Sequence, residues 1–197
     1  MEERFSVVTY LYSLRLYLLF VVALFLCSAI IGYIGLLNEV FSAPLEWIQQ
    51  LSGDIKQYSE GCPMWVLFLL FFTVIFLNNA FTCFLDILSG PLIGVFPMFS
   101  TFINGGLIGW FAHEKGLIVL FAIVPHGIFE LPAFFISAAI GLKLGREVLK
   151  RREDRHLKDE FGRALRAFFT LIIVLLFIAA IIESALIALS LLMLNSL

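Results

Sequence analysis

Five long apolar runs constrain this chain more than anything else in it. They extend roughly from Leu16 to Leu37, Trp65 to Leu85, Pro91 to Phe111, Gly116 to Gly145 and Phe168 to Leu194. A hydrocarbon core about 30 Å thick is crossed by about 20 helical residues, so each run is long enough to span a bilayer. Water is absent there, and a helix bonds all its backbone groups within one segment. The composition agrees: 61% of residues are hydrophobic and 14% charged, with a mean hydropathy of +1.03. Soluble domains carry about 25% charged residues. The expected fold is all-α, a polytopic transmembrane helix bundle of about five hydrophobic runs, forming a single integral membrane domain over residues 1–197. The first run follows Arg4 and Arg15 but lacks a small-residue cleavage site, which makes it an uncleaved anchor rather than a signal peptide.

Charge placement gives a topology. Of 13 lysines and arginines, nine fall between Lys143 and Arg166, and Arg4 and Arg15 flank the start of the first run. Five crossings put both basic regions on one side and leave Lys56 and Lys115 on the other. The positive-inside rule then predicts a cytoplasmic N-terminus and an external C-terminus. Residues 38–64 read as a short external amphipathic segment, with Leu45, Ile48, Leu51 and Ile55 at helical spacing and Trp47 suited to the interface. Residues 146–167 read as a charged cytoplasmic helix with i,i+4 pairs Glu147–Arg151, Asp154–Lys158 and Asp159–Arg163 and an apolar edge of Leu157, Phe161 and Leu165. Its basic residues are explained by topology and lipid headgroups, and no nucleic-acid partner is expected. Cys27, Cys62 and Cys83 match no zinc spacing and form no disulfide framework.

The fourth run contains "VPHGIFELPAFF", residues 124–135, with two prolines, a histidine and a glutamate where lipid tolerates few of these. Pro125 and Pro132 each lack an N–H and clash with the carbonyl four residues earlier, so a break is expected at this Pro-His-Gly…Glu-Leu-Pro motif. His126 and Glu130 are four residues apart and share a helical face. An ionised acid at mid-bilayer costs about 2.5–3.5 kcal/mol on the insertion scale, which predicts that Glu130 points inward. Asn78, Asn79, Asn104 and Glu183 lie in other runs and are its expected partners, together forming an intramembrane polar core.

That core admits three readings. Polar groups can fix helix packing, each interhelical hydrogen bond contributing about 0.6–2 kcal/mol. The acids and histidine can instead relay protons or ions, and an interrupted helix at the midplane is a pointer to a transporter. An intramembrane metal hydrolase is disfavoured, because one histidine with two acids is a thin ligand set and no HExxH occurs. GxSxG is also absent. No catalytic residue, metal or cofactor is therefore expected. Gly105 and Gly109, like Gly141 and Gly145, have the GxxxG spacing that lets helices approach closely. They predict a tight contact between the third and fourth spans, or a face for a homo-oligomer.

"PHGIFELPA" followed by "GLKLG", with "NN" at Asn78–Asn79, "NGG" from Asn104 and "ES" at Glu183–Ser184, resembles the stage II sporulation protein M family. The resemblance covers most of the chain from the second run onward. It implies a multi-span membrane protein of a family found in bacteria and archaea. The sporulation member resembled acts in engulfment with a lytic transglycosylase and an amidase that remodel peptidoglycan, as their scaffold and not as a hydrolase. It also implies His126, Glu130, Asn78, Asn79, Asn104 and Glu183 as functional residues. The resulting expectation is a non-enzymatic membrane scaffold with the lipid bilayer and membrane-protein partners, or copies of itself, around it. The alternative is a transporter or channel for protons, ions or a small solute through the same polar site.

Overall fold

A computed structural model of the 197-residue chain describes residues 6–36, 38–40 and 63–195. The amphipathic segment expected over 38–64, Cys62, Lys56 and Arg4 fall outside the described residues or almost entirely so. Among the described residues the main helices, in order, are α1 Val7–Ser13, α2 Arg15–Tyr33, α3 Met64–Leu88, α4 Val95–Lys115, α5 Ile118–Leu149, α6 Leu157–Ala167 and α7 Ile173–Asn195. A 3-10 turn, Arg152–Asp154, precedes α6, and a π-helical turn, Phe168–Ile172, joins α6 to α7. No strand occurs among the described residues. Among the described residues, five helical segments are long and apolar enough to cross a membrane: α2, α3, α4, α5 and the continuous α6–α7 rod. The chain is a multi-pass α-helical membrane protein.

The bundle is built around α5, which packs against α2, α3, α4 and α7. Its second half is buried nearly all round, with Ala133, Ala138, Ala139, Ile140 and Leu144 wholly enclosed. By contrast α2 and α3 expose rows of large apolar side chains, including Leu19, Phe20, Leu69, Leu77 and Phe81. In water such continuous apolar surface would drive association; in a bilayer it is the surface that meets acyl chains.

Small residues set the two closest helix contacts. A Cβ on Gly109 would stand 2.9 Å from Ala29 Cα, one on Gly32 2.9 Å from the Trp110 nitrogen, and one on Gly105 3.1 Å from the Phe25 carbonyl carbon. Gly105 and Gly109 thus seat α4 on α2, not on α5. The reason is that α2 presents its own small residues, Ser28, Ala29 and Gly32, on the facing side. Gly141 and Gly145 receive the α3–α4 turn: a Cβ on Gly145 would lie 2.6 Å from the Gly94 nitrogen. Gly94 sits at φ 68°, which allows that turn to close within six residues and press against α5.

The expected break in the fourth run is absent. α5 is a single helix of 32 residues with Pro125 and Pro132 inside it. Both prolines face outward, beside exposed Phe121 and Ile128. Each removes one hydrogen bond, and the flanking turns keep the backbone helical across the gap. The charged helix expected over 146–167 is instead interrupted. α5 ends at Leu149, Arg155 donates to the Val148 and Lys150 carbonyls at its end, and α6 starts at Leu157.

The ion pairs differ as well. Lys143 on α5 meets Glu160 on α6 at 2.6 Å, and Arg163 meets the other Glu160 oxygen at 2.6 Å. Glu147 pairs with Lys150 rather than Arg151. Glu160 turns inward with Ala164 and Ala167, flanked by Leu157 and Phe161, because α5 delivers an ammonium to that face. Lys143 also donates to the Ser13 hydroxyl at 2.9 Å and stands 4.8 Å above the Tyr10 ring. Burial, with the nearby Glu160 carboxylate, pushes the Tyr10 hydroxyl well above its ordinary pKa, so it stays a neutral phenol. These contacts hold the N-terminal helix and the basic segment at one end of the bundle.

Candidate functional site

Most of the polar residues singled out above lie near the middle of their helices, with His126 in the first half of α5. Asn78 and Asn79 are halfway along α3, Asn104 is halfway along α4, and Glu183 is halfway along α7. His126 and Glu130, one helical turn apart on α5, face α7. His126, Glu130 and Glu183 each present a ligand atom, and the three atoms lie within 4.8 Å of one another. All three side chains are half-buried in the chain itself, and the His126 Nδ1 atom is buried with no hydrogen-bond partner among the described residues.

Beside this cluster is a cavity of about 150 Å³ lined by Asn78, Asn79 and Thr82 from α3, Asn104 from α4 and Glu130 from α5, with Cys83 and apolar groups between them. Four helices therefore contribute to one continuous polar region: α3 and α4 supply amides, while α5 and α7 supply the ionisable groups. Within it Asn78 donates to the Asn79 carbonyl oxygen at 3.3 Å, and Asn104 donates to the Ser100 carbonyl at 2.9 Å. Each amide has two N–H donors and an acceptor oxygen, so most of their capacity is directed elsewhere. Asn78 and Asn104 are exposed on the bundle surface, at the rim of a cleft between α3 and α4.

Pro125 and Pro132 face away from this region, so the backbone groups they release do not line it. Cys27 is exposed and Cys83 is buried in the wall of the cavity. An imidazole and two carboxylates on two neighbouring helices are a donor set that can carry protons or hold a cation.

A buried acid deeper in the bundle was not singled out from the sequence. Asp86, in the last turn of α3, has no exposed surface, and its Oδ2 lies 3.3 Å from the Ser137 hydroxyl of α5. That hydroxyl is 2.8 Å from the Phe134 carbonyl, the better acceptor for its single proton. The available signal was an aspartate immediately after the end of an apolar run, a position where snorkelling to the interface looks sufficient. A second cavity, about 360 Å³, opens at the basic end among Tyr12, Arg15, Tyr17, Lys143, Arg146 and Lys150.

Fold and site together define a polytopic helical membrane protein with a composite polar centre at mid-bilayer. Comparison with known proteins assigns the chain more narrowly. The family model of Stage II sporulation protein M matches residues 16–186, and the chain belongs to that family. It is also similar to the uncharacterized protein MJ0793 of Methanocaldococcus jannaschii, with 33% identity over 125 residues, 57% of this chain and 68% of that protein. No solved structure matches the chain.

Proposed function

We propose that this protein is a non-enzymatic membrane scaffold, which engages partner transmembrane helices at the asparagine-lined cleft between α3 and α4. The observation that carries the reading is the exposure of Asn78 and Asn104 at mid-span, on a surface otherwise apolar. An amide with unused hydrogen-bonding groups is unfavourable against acyl chains and favourable against a polar group of another helix. Membership in the Stage II sporulation protein M family supports the same direction, since the resemblance implies a scaffold and not a hydrolase. The basic end, with α1 and the segment from Lys143 to Arg166, faces the cytoplasm in this reading, which puts the C-terminus outside.

Gentle purification from native membranes, followed by mass spectrometry, tests it. A defined membrane-protein partner is expected with the wild type and lost from Asn78→Leu/Asn104→Leu. Recovery of the same proteins with both, or of none with either, would remove the scaffold reading.

A second reading rests on a separate observation, the half-buried His126–Glu130–Glu183 cluster next to a polar cavity. In that reading the protein conducts protons, ions or a small solute. Reconstituted vesicles should then show a flux that Glu130→Gln abolishes, and vesicles without such flux would leave the scaffold alone.

A further inference from the structure

We infer that His126, Glu130 and Glu183 bind one divalent transition-metal cation, which would bridge α5 to α7 at mid-bilayer. The inference goes beyond the scaffold reading and does not depend on it. Its first support is geometric: one nitrogen and two oxygen donors, from two helices, lie within 4.8 Å of one another. Around a tetrahedral ion with bonds of about 2.0–2.2 Å, donors lie about 3.4 Å apart. Binding would draw the three donors in from 4.8 Å or less to about that separation.

Charge supplies the second support. When both carboxyls are deprotonated, as ligation requires, they and a neutral imidazole sum to −2, and a divalent cation brings the group to zero. A monovalent cation would leave an uncompensated anion in the hydrocarbon region, where it is strongly disfavoured. The third support is the buried Nδ1 atom of His126, which has no hydrogen-bond partner among the described residues.

The donor set also selects the ion. Calcium and magnesium favour all-oxygen sites, whereas one imidazole nitrogen with two carboxylates suits Zn²⁺ and its first-row neighbours. Asn79 and Asn104 line the adjoining cavity with Glu130, where an amide N–H can donate to the carboxylate and an amide oxygen can accept from a water on the ion. No reaction is assigned to the bound ion. It would act as a clamp that fixes α7 against α5 and leaves the α3–α4 cleft open.

The test uses the full chain in detergent or nanodiscs, stripped with a chelator and then equilibrated with Zn²⁺ and, separately, Co²⁺. Elemental analysis should find one Zn²⁺ per chain, and Co²⁺ should give the visible absorption of a low-coordinate nitrogen–oxygen site. His126→Ala, Glu130→Gln and Glu183→Gln should each weaken binding by at least about 10–100-fold, the loss that even outer partners of metal ligands cause. Glu114→Gln, at the exposed end of α4, should bind as the wild type does. Occupancy no higher in the wild type than in the three variants, or a loss confined to one of them, would overturn the site. Should a variant fail to fold, the wild-type cobalt spectrum decides: absence of those bands rejects the proposal. Capture of partners from the same preparations reports on the scaffold reading separately.

Discussion

Changing Gly109 to alanine, with Gly162→Ala as its counterpart, tests the packing of α2 on α4 through a difference of two measurements. Both glycines lie inside helices, so each substitution brings the same gain in helix propensity, about 0.8–1 kcal/mol. Gly162 is exposed on α6 and a Cβ there meets nothing within 4 Å, so the gain should appear in full. At Gly109 the added methyl would stand 2.9 Å from Ala29 Cα and closer still to the Ala29 carbonyl oxygen. These are backbone atoms and cannot rotate away, so the helices must part along the seam that Gly32 and Gly105 share. Overpacking of this kind costs about 1–3 kcal/mol. Because the propensity term cancels, that is the expected difference between the variants. For a chain of this size 1 kcal/mol moves Tm by about 2–4 °C, so Gly109→Ala should melt about 2–12 °C below Gly162→Ala. Helical circular dichroism in detergent reads both. Equal shifts, or a higher Tm for Gly109→Ala, would refute the backbone contact between α2 and α4.

Glu160→Gln should destabilise the protein by about 3 kcal/mol, the low end for breaking a buried pair, because Lys143 keeps some exposure. Combining it with Lys143→Met should recover part of that loss, and strictly additive effects would show that the pair is not coupled. Asp86→Asn should raise Tm: its amide can donate to the Ser137 hydroxyl, whose proton goes to Phe134, and no charge is enclosed. A fall in Tm instead would mean that the carboxylate itself is required. For topology, cysteines introduced at Lys115 and Arg152 in a cysteine-free background should differ in labelling. An impermeant maleimide on intact cells should modify position 115 and reach 152 only after permeabilisation; the reverse would invert the orientation.

Spans and their number were legible because lipid imposes a simple rule, about 20 apolar residues for each crossing. Polar residues at matching depths in separate runs were legible for a related reason, since a buried acid must be answered by something at its own level. Partner choice among helices was not. The GxxxG pattern on α4 states that a backbone comes close but not which one. The answer lay in Ser28, Ala29 and Gly32, small residues that look ordinary in a first span. Proline was over-read, because its local cost does not say whether surrounding turns hold; α5, packed on four sides beyond Leu131, keeps its path. The pairs within residues 146–167 were misjudged since periodicity assumes an unbroken helix and cannot anticipate Lys143 arriving from another one.

The division of labour among the helices bears on which of the two functional readings the structure favours. A conduit needs polar groups that continue from the midplane to both faces. Toward the basic end from the His126–Glu130–Glu183 group, α5 is closely packed, with Ala138, Ala139, Ile140 and Leu144 wholly buried. The polar side chains beyond the cluster on that side include Asp86, Ser100, Thr101 and Ser137, all buried. The amides of α3 and α4 open sideways instead, toward the position of a neighbouring helix. Lateral access of this kind is what the proposed scaffold requires, because its partners approach within the plane of the membrane. A cation that fastened α7 to α5 would reinforce that arrangement by holding the back of the cleft rigid while its front stays available.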